Sequence, residues 1–227
     1  MPPTPLEVKT IVSAPFAENS YIAYLQGAQE AVVVDPGMDP GAIFESLDAE
    51  RLTPAALLVT HGHSDHIAGL GAMKGRWPDC PIVIGRLEAP KLADPWQNLS
   101  AAYGMSLVCP PADVLLDDGE QYTAAGLEFE TRLIPGHSSG HVVFVCRQFE
   151  PPVVFGGDVL FAGGIGRTDF PDGDFRSLAD GIWRHLFCLP PATRVFPGHG
   201  EPTTIADELR DNQWVGQSSK YGRQRRG

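Results

Sequence analysis

Five short apolar runs in this chain end on the same kind of loop, and that coincidence constrains the fold more than any other feature. Residues 31–34 stop at Asp35-Pro36-Gly37, 56–59 run into THGHSDH, 127–134 into PGHSSGH, 153–155 into GGD, and 194–196 into PGHG. Runs of this length, rich in β-branched residues and bounded by Gly and Pro, read as strands. In layered α/β proteins, ligands and catalytic groups gather on loops at one edge of a sheet, so the five loops are expected to meet there. Further strands are expected at 21–25, 82–84 and 141–146, and helices at 42–49, 67–77, 88–92, 177–186 and 205–212. No repeat or linker breaks the pattern. It predicts one α/β domain over residues 1–227, with 216–227 a basic, solvated tail.

The loops carry a chemical theme. Of 7 histidines in the sequence, His61, His63 and His66 crowd around Asp65. Alternate residues of an extended segment project the same way, so His61 and His63 can share one ion, while Asp65 and His66, opening a helix, are displaced toward a second position. Adding His137, Asp158 and His199 gives more donors than one tetrahedral ion takes and enough for two. The division expected is His61, His63 and His137 on the first ion, and Asp65, His66 and His199 on the second, with Asp158 bridging. Two cations close together repel, so a shared carboxylate and hydroxide are useful between them. Imidazole and carboxylate suit zinc, iron or manganese, and the lack of thiolates argues against a purely structural zinc knot. Two divalent ions outweigh the charges of Asp65, Asp158 and a hydroxide, so the pocket is expected to be locally positive and to admit a small anionic substrate.

Composition excludes other classes. A net charge of -11 at pH 7 opposes nucleic-acid binding, which needs basic surface. No apolar run approaches the roughly 20 residues of a membrane helix, and the N-terminus lacks a basic region followed by an apolar stretch, so no membrane partner and a cytoplasmic location are expected. Cys80, Cys109, Cys146 and Cys188 form no C-x-x-C pair and read as reduced, mostly buried thiols. Trp77, Trp96, Trp183 and the phenylalanines read as core rather than pocket lining. His185 reads as ordinary helix surface or packing.

THGHSDH, PGHSSGH, FGGDVLF and FPGHG, in that order, resemble the pattern of the metallo-β-lactamase superfamily, and the similarity runs from NSYIAYL at Asn19 to Thr204. The resemblance implies a four-layer αββα sandwich with metals at the edge between two sheets. GGDVLFAGGIGRTDFPDGD is similar to the short bacterial enzymes of the hydroxyacylglutathione hydrolase (glyoxalase II) branch. That implies a thioester hydrolase with a binuclear centre, in which a metal-bridging hydroxide attacks the carbonyl and Asp65 orients it or accepts its proton. Arg167 resembles the family's basic substrate contact, with a structural salt bridge as the other reading. His141 is expected behind the ligands rather than among them, and Asp35 either supports a ligand histidine or forms a turn. Two departures bear on the thiol. Residues 200–227 are too few for the helical domain that grips glutathione in the full-length enzyme, and Asp169 and Glu201 stand where its glutathione-binding tyrosines are expected. The segment GRTDF, 166–170, also resembles mononuclear iron persulfide dioxygenases, which use the equivalents of His61, His137 and Asp158. That activity, and lactone or other ester hydrolysis within the superfamily, are the alternatives.

Overall fold

Alternation along the central strands decides the architecture. In β3 (Glu30–Val34) and β4 (Thr53–Val59), Val32, Val34, Ala56 and Leu58 join one apolar cluster while Ala31, Val33, Leu57 and Val59 join another. Successive side chains of a strand point to opposite faces, so strands buried on both faces must lie between two apolar layers. The computed structural model, which describes residues 4–226, has that arrangement.

The first sheet runs in chain order: β1 (Leu6–Ser13), β2 (Glu18–Leu25), β3, β4, β5 (Ile82–Gly85) and β6 (Val114–Leu116). Its first two pairings are antiparallel and the next three parallel. In the second sheet β7 (Gln121–Ala124), β8 (Leu127–Leu133), β9 (Val142–Cys146) and β10 (Val153–Gly157) form an antiparallel meander. β13 (Arg194–Pro197) then pairs parallel to β10, and β14 (Thr203–Thr204) closes that edge. The strands β11 (Leu160–Phe161) and β12 (Gly164–Ile165) form a small ribbon.

Three cores separate four layers. Tyr21, Val34 and Leu58 of the first sheet face Phe129, Phe144 and Phe155 of the second. The outer face of the first sheet is covered by Ile43 and Leu47 of α1 (Pro40–Glu50), by Ile67 of α2 (Ser64–Ile67), and by Leu70 and Met73 of α3 (Leu70–Arg76). The outer face of the second sheet is covered by Leu178 and Ala179 of α4 (Phe175–Gly181), by Ile182 and Leu186 of the π-helical turn that follows, and by Ile205 of α5 (Ile205–Asp211). This is the αββα order expected from the resemblance. Phe144 is fully buried in the middle core, where truncation to Ala costs about 3–5 kcal/mol.

Several elements differ from expectation. The helix expected over 67–77 starts at Ser64 and is divided in two, because the Gly69 amide donates to the Pro36 carbonyl at 2.8 Å. That loop lies so close that a Cβ on Gly69 would sit 2.7 Å from the Gly37 carbonyl oxygen. The segment expected as a helix at 88–92 is a 3₁₀ turn, Ala89–Ala93. The helix expected at 177–186 begins earlier, capped by Asp174, whose carboxylate accepts from the Ser177 amide at 2.6 Å. β1, β6 and β7 were not expected; they lie at or near sheet margins, where half-exposure blurs the apolar pattern.

The C-terminal residues are not a solvated tail. Lys220–Arg226 form α6, whose Tyr221 hydroxyl donates to Asp180 at 2.5 Å and whose Arg225 pairs with the same carboxylate. Gly222 is buried against Gly216. Gly227 lies outside the described residues. The tryptophans divide as well: Trp77 packs on Phe44 at the outer core and Trp183 donates to the Val215 carbonyl at 2.8 Å, but Trp96 is 78% exposed and belongs to no core.

Candidate metal centre

Parallel pairing brings the loop ends level. Val34 lies opposite Leu58, and the Asp35 amide donates to the Leu58 carbonyl at 2.9 Å, so Asp35 and Thr60 emerge side by side. His63 is extended (φ -73, ψ 148) and leads into α2, which carries Asp65 and His66. Between β10 and β13 the register slips between Phe155 and Gly157, and Gly157 has φ +47. Such a bulge re-aims the next residue, here Asp158. The loop after β13 is pinned by β2: Tyr21 donates its hydroxyl to the Pro197 carbonyl at 2.6 Å, and Asn19 Nδ2 donates to the Gly200 carbonyl at 2.8 Å. Gly198 must lack a side chain, because a Cβ there would strike Asp158 Oδ1 and sit 2.6 Å from His66 Cε1.

The seven expected donors converge. Their atoms form three overlapping groups, each within 4.8 Å: His61, His63 and His137; His61, His66 and Asp158; and Asp65, His66 and His199. Asp158 spans them, with Oδ1 3.4 Å from His66 Nε2, and Oδ2 3.4 Å from His137 Nε2 and 3.5 Å from His199 Nε2. His63 Nδ1 lies 3.1 Å from His61 Nε2 and 3.0 Å from His137 Nε2. Asp65 Oδ2 is 3.4 Å from His199 Nε2.

These residues fit two divalent ions. His66 Nε2 and Asp158 Oδ1 are buried and form no hydrogen bond; they face each other at 3.4 Å as an ion pair too long to offset fully the desolvation of two strong polar groups. The opposite nitrogens are taken up: His66 Nδ1 lies 3.1 Å from Asp35 Oδ2, His137 Nδ1 2.9 Å from the Arg167 carbonyl, and His199 Nδ1 3.2 Å from the Phe16 carbonyl. That is how metal-ligating imidazoles are usually oriented, the outer N–H on a carboxylate or carbonyl and the other nitrogen free for the ion.

The electrostatics divide the histidines. Burial pushes His61 well below the usual imidazole range, holds His63 at about 3, and lowers His137. For His66 burial acts in the same direction, but Asp158 and Asp65 outweigh it and raise the group well above its ordinary value. Burial likewise opposes the charge on His199, yet hydrogen bonding to Asp158 and Asp65 lifts it to about 10. Asp158 stays well below the carboxylate range because His66 and His137 overcome its burial.

Asp35 reaches His66 while its other bonds, both 2.7 Å, hold the amide and hydroxyl of Thr60. It adopts φ +47, so it occupies a turn as well as supporting the histidine. His141 lies outside the donor groups, accepts from the Asp158 amide at 3.0 Å, and stacks on His61 with centroids 4.5 Å apart. Arg167 lines the pocket, pairs with Asp169 at 2.7 Å and lies 4.5 Å over the Phe170 ring. Phe16, Leu99, Tyr103 and Phe170 complete the walls, which corrects the expectation that the phenylalanines belong to the core. Sequence reasoning missed Glu18, a fully buried acid 4.0 Å from His66 Nδ1, and the buried pair Glu88 and Lys91. No motif marks these three. His185 lies partly buried in the π-helical turn, away from the cluster.

The sequence profile described as the metallo-beta-lactamase superfamily matches residues 14–199. The chain belongs to the metallo-β-lactamase superfamily. A superfamily relative named "Probable metallo-hydrolase M6_Spy0554", from Streptococcus pyogenes, is 36% identical over 199 residues, covering 86% of this chain and 84% of that protein. "Hydroxyacylglutathione hydrolase GloC" from Haemophilus influenzae is 32% identical, covering 94% of this chain and 100% of its own length. Among solved structures, that of the BLEG-1 B3 metallo-β-lactamase superposes with a TM-score of 0.87 at 37% identity, covering 92% of this chain and 99% of the other. The resemblance to the glyoxalase II branch therefore has a counterpart among the superfamily relatives. Cys80, Cys109 and Cys146 are buried free thiols and Cys188 an exposed one, all outside the donor groups. No helix among the described residues is long and apolar enough to cross a membrane.

Proposed function

We propose that this metallo-hydrolase of the metallo-β-lactamase superfamily cleaves small anionic thioesters at a centre of two divalent ions, zinc first among the metals that suit its donors. The observation that carries the reading is the pair of orphaned buried atoms, His66 Nε2 and Asp158 Oδ1, 3.4 Å apart inside a ring of imidazoles. His61, His63 and His137 would hold one ion and Asp65, His66 and His199 the other, with Asp158 facing both. Bound there, divalent ions supply Lewis acidity and bring the pKa of water toward about 7.

The protein's own residues supply the rest. His66 held above its ordinary range keeps Asp65 ionised against the cost of its burial, so its carboxylate can accept a hydrogen bond from water and fix its direction of approach. Arg167, paired with the exposed Asp169, lies over the Phe170 ring at the pocket wall, which Tyr103 also lines, an arrangement that suits a carboxylate on an otherwise apolar group able to compete for the guanidinium. The leaving group follows from what the pocket lacks. Outside the donor groups, its described lining residues include no carboxylic acid or imidazole to protonate an amine leaving group. A thiolate, whose conjugate acid has a pKa of about 8.5, leaves without that help. This favours thioesters over amides and lactams.

Elemental analysis together with turnover of S-lactoylglutathione, other thioesters, lactones and glutathione persulfide tests the proposal. Two ions per chain with thioester cleavage support it. One iron with oxygen uptake on the persulfide transfers the chain to the persulfide dioxygenases.

A further inference from the structure

Glu88 immediately precedes the 3₁₀ turn after β5, fully buried and outside every donor group. Its carboxylate accepts from three donors. Oε2 takes the Gly62 amide at 2.7 Å; Oε1 takes the Gly140 amide at 2.7 Å and the Ser138 hydroxyl at 2.6 Å. Gly62 stands between the donors His61 and His63, and Ser138 follows the donor His137. One side chain therefore joins the two loops that carry the His61, His63 and His137 group, and its polar partners are Gly62, Ser138, Gly140 and Lys91.

The surrounding packing is built for this contact. A Cβ on Gly62 would lie 2.6 Å from Lys91 Cβ, and one on Gly140 would lie 2.9 Å from Glu88 Oε1, so both loops approach the turn at glycines. Lys91, 4% exposed, places its ammonium 3.3 Å from Glu88 Oε1 and 2.6 Å from Asp172, and also bonds Ser138. The buried carboxylate is thus fully satisfied and charge-paired, as a group removed from water must be.

We infer that Glu88 is a positioning residue for the inner metal group, setting the separation of the two loops whose imidazoles converge there. The inference rests on the dinuclear reading proposed above. Three donors converge on the carboxylate, and an amide cannot receive them all: in Glu88→Gln one end presents NH₂ to an N–H or O–H donor. The variant keeps the volume and shape of the side chain while pushing one loop away.

Zinc-loaded full-length chain is equilibrated against a graded chelator. Bound zinc is counted by elemental analysis, and the histidine ring nitrogens are followed by NMR. In Glu88→Gln the inner ion is expected to leave at a free zinc concentration roughly 10–100-fold higher than in the parent, the usual cost of losing a group that orients ligands. Signals of His61, His63 and His137 should change while those of His66 and His199 hold. Glu208→Gln alters an equally buried acid, bonded to Gly163, Thr203 and Asn212, and is expected to leave both ions at parental affinity. Were Glu88→Gln to fail to fold, Ser138→Ala, which removes one of the three donors, should weaken the same ion by a smaller factor. Parental retention of both ions, or equal weakening of both, overturns the assignment of Glu88. A parent chain that never holds two ions overturns the dinuclear reading instead, and this inference with it.

Discussion

His61, His63 and His137 are buried at 0%, 4% and 2% exposure, whereas the side chains of Asp65 and His199 keep 19% and 28%. The two halves use similar ligands under opposite physical control. In the enclosed half, desolvation keeps imidazoles neutral and ready to ligate. In the outer half, Asp65 and Asp158 favour imidazolium, so a metal entering there replaces protons. The difference teaches that charge can reserve a place for a cation before the cation arrives, and that neighbouring sites can differ in pH dependence without differing in ligand type.

The largest expected effect is at the residue the halves share. Asp158→Ala removes the carboxylate that faces His66, His137 and His199, and elemental analysis should find less than one ion per chain; two retained ions would show that the halves are independent. Next, Asp35→Asn should weaken the outer ion by roughly 10–100-fold, the scale for losing a carboxylate behind a ligand histidine, and the inner ion by a smaller factor through Thr60, whose hydroxyl lies 3.1 Å from His61 Nδ1. Zinc competition on the two variants measures both. Equal weakening would break the division.

Proton release gives a third test. At neutral pH in the metal-free chain, His66 and His199 are held above their ordinary range and His61, His63 and His137 below it. Filling the outer half should therefore release protons and tighten as pH rises toward about 10, while the inner half should be nearly flat from neutral pH into the acid range. Calorimetry in buffers of different ionisation enthalpy counts the protons. The same raised group sets a stability trend without metal. The stabilisation from His199 is complete below its unfolded value near 6.5 and is lost as pH passes through about 10. The smallest effect belongs to the pocket wall. Arg167→Met should raise KM for an anionic thioester by roughly fivefold, the scale of an exposed ion pair, and leave metal content and neutral substrates unchanged.

Much of the site was legible because its residues cluster in loops at strand ends. His61, His63, His66 and Asp65 share one heptapeptide, and the other donors follow Gly-rich turns after apolar runs. Glu18, Glu88 and Lys91 were not legible, since an isolated acid or lysine in sequence gives no sign that it will be buried or which amides it will meet. Residues 216–226 misled for a related reason. Their charge suggests solvent, but Tyr221, Arg225 and the glycine contacts dock them on α4 and the neighbouring turn.

The linear order of residues determined the donor set, the strand runs and, by alternating apolar positions in β3 and β4, the need for layers on both faces. Tertiary structure alone decided how closely the donors approach and what holds their loops, because those contacts join residues as distant as Asp65 and His199, and Glu88 and Gly140. Periodicity is a property of neighbours along the chain. The separation of two imidazoles on different loops depends on how packed sheets, a β-bulge and one buried carboxylate hold those loops.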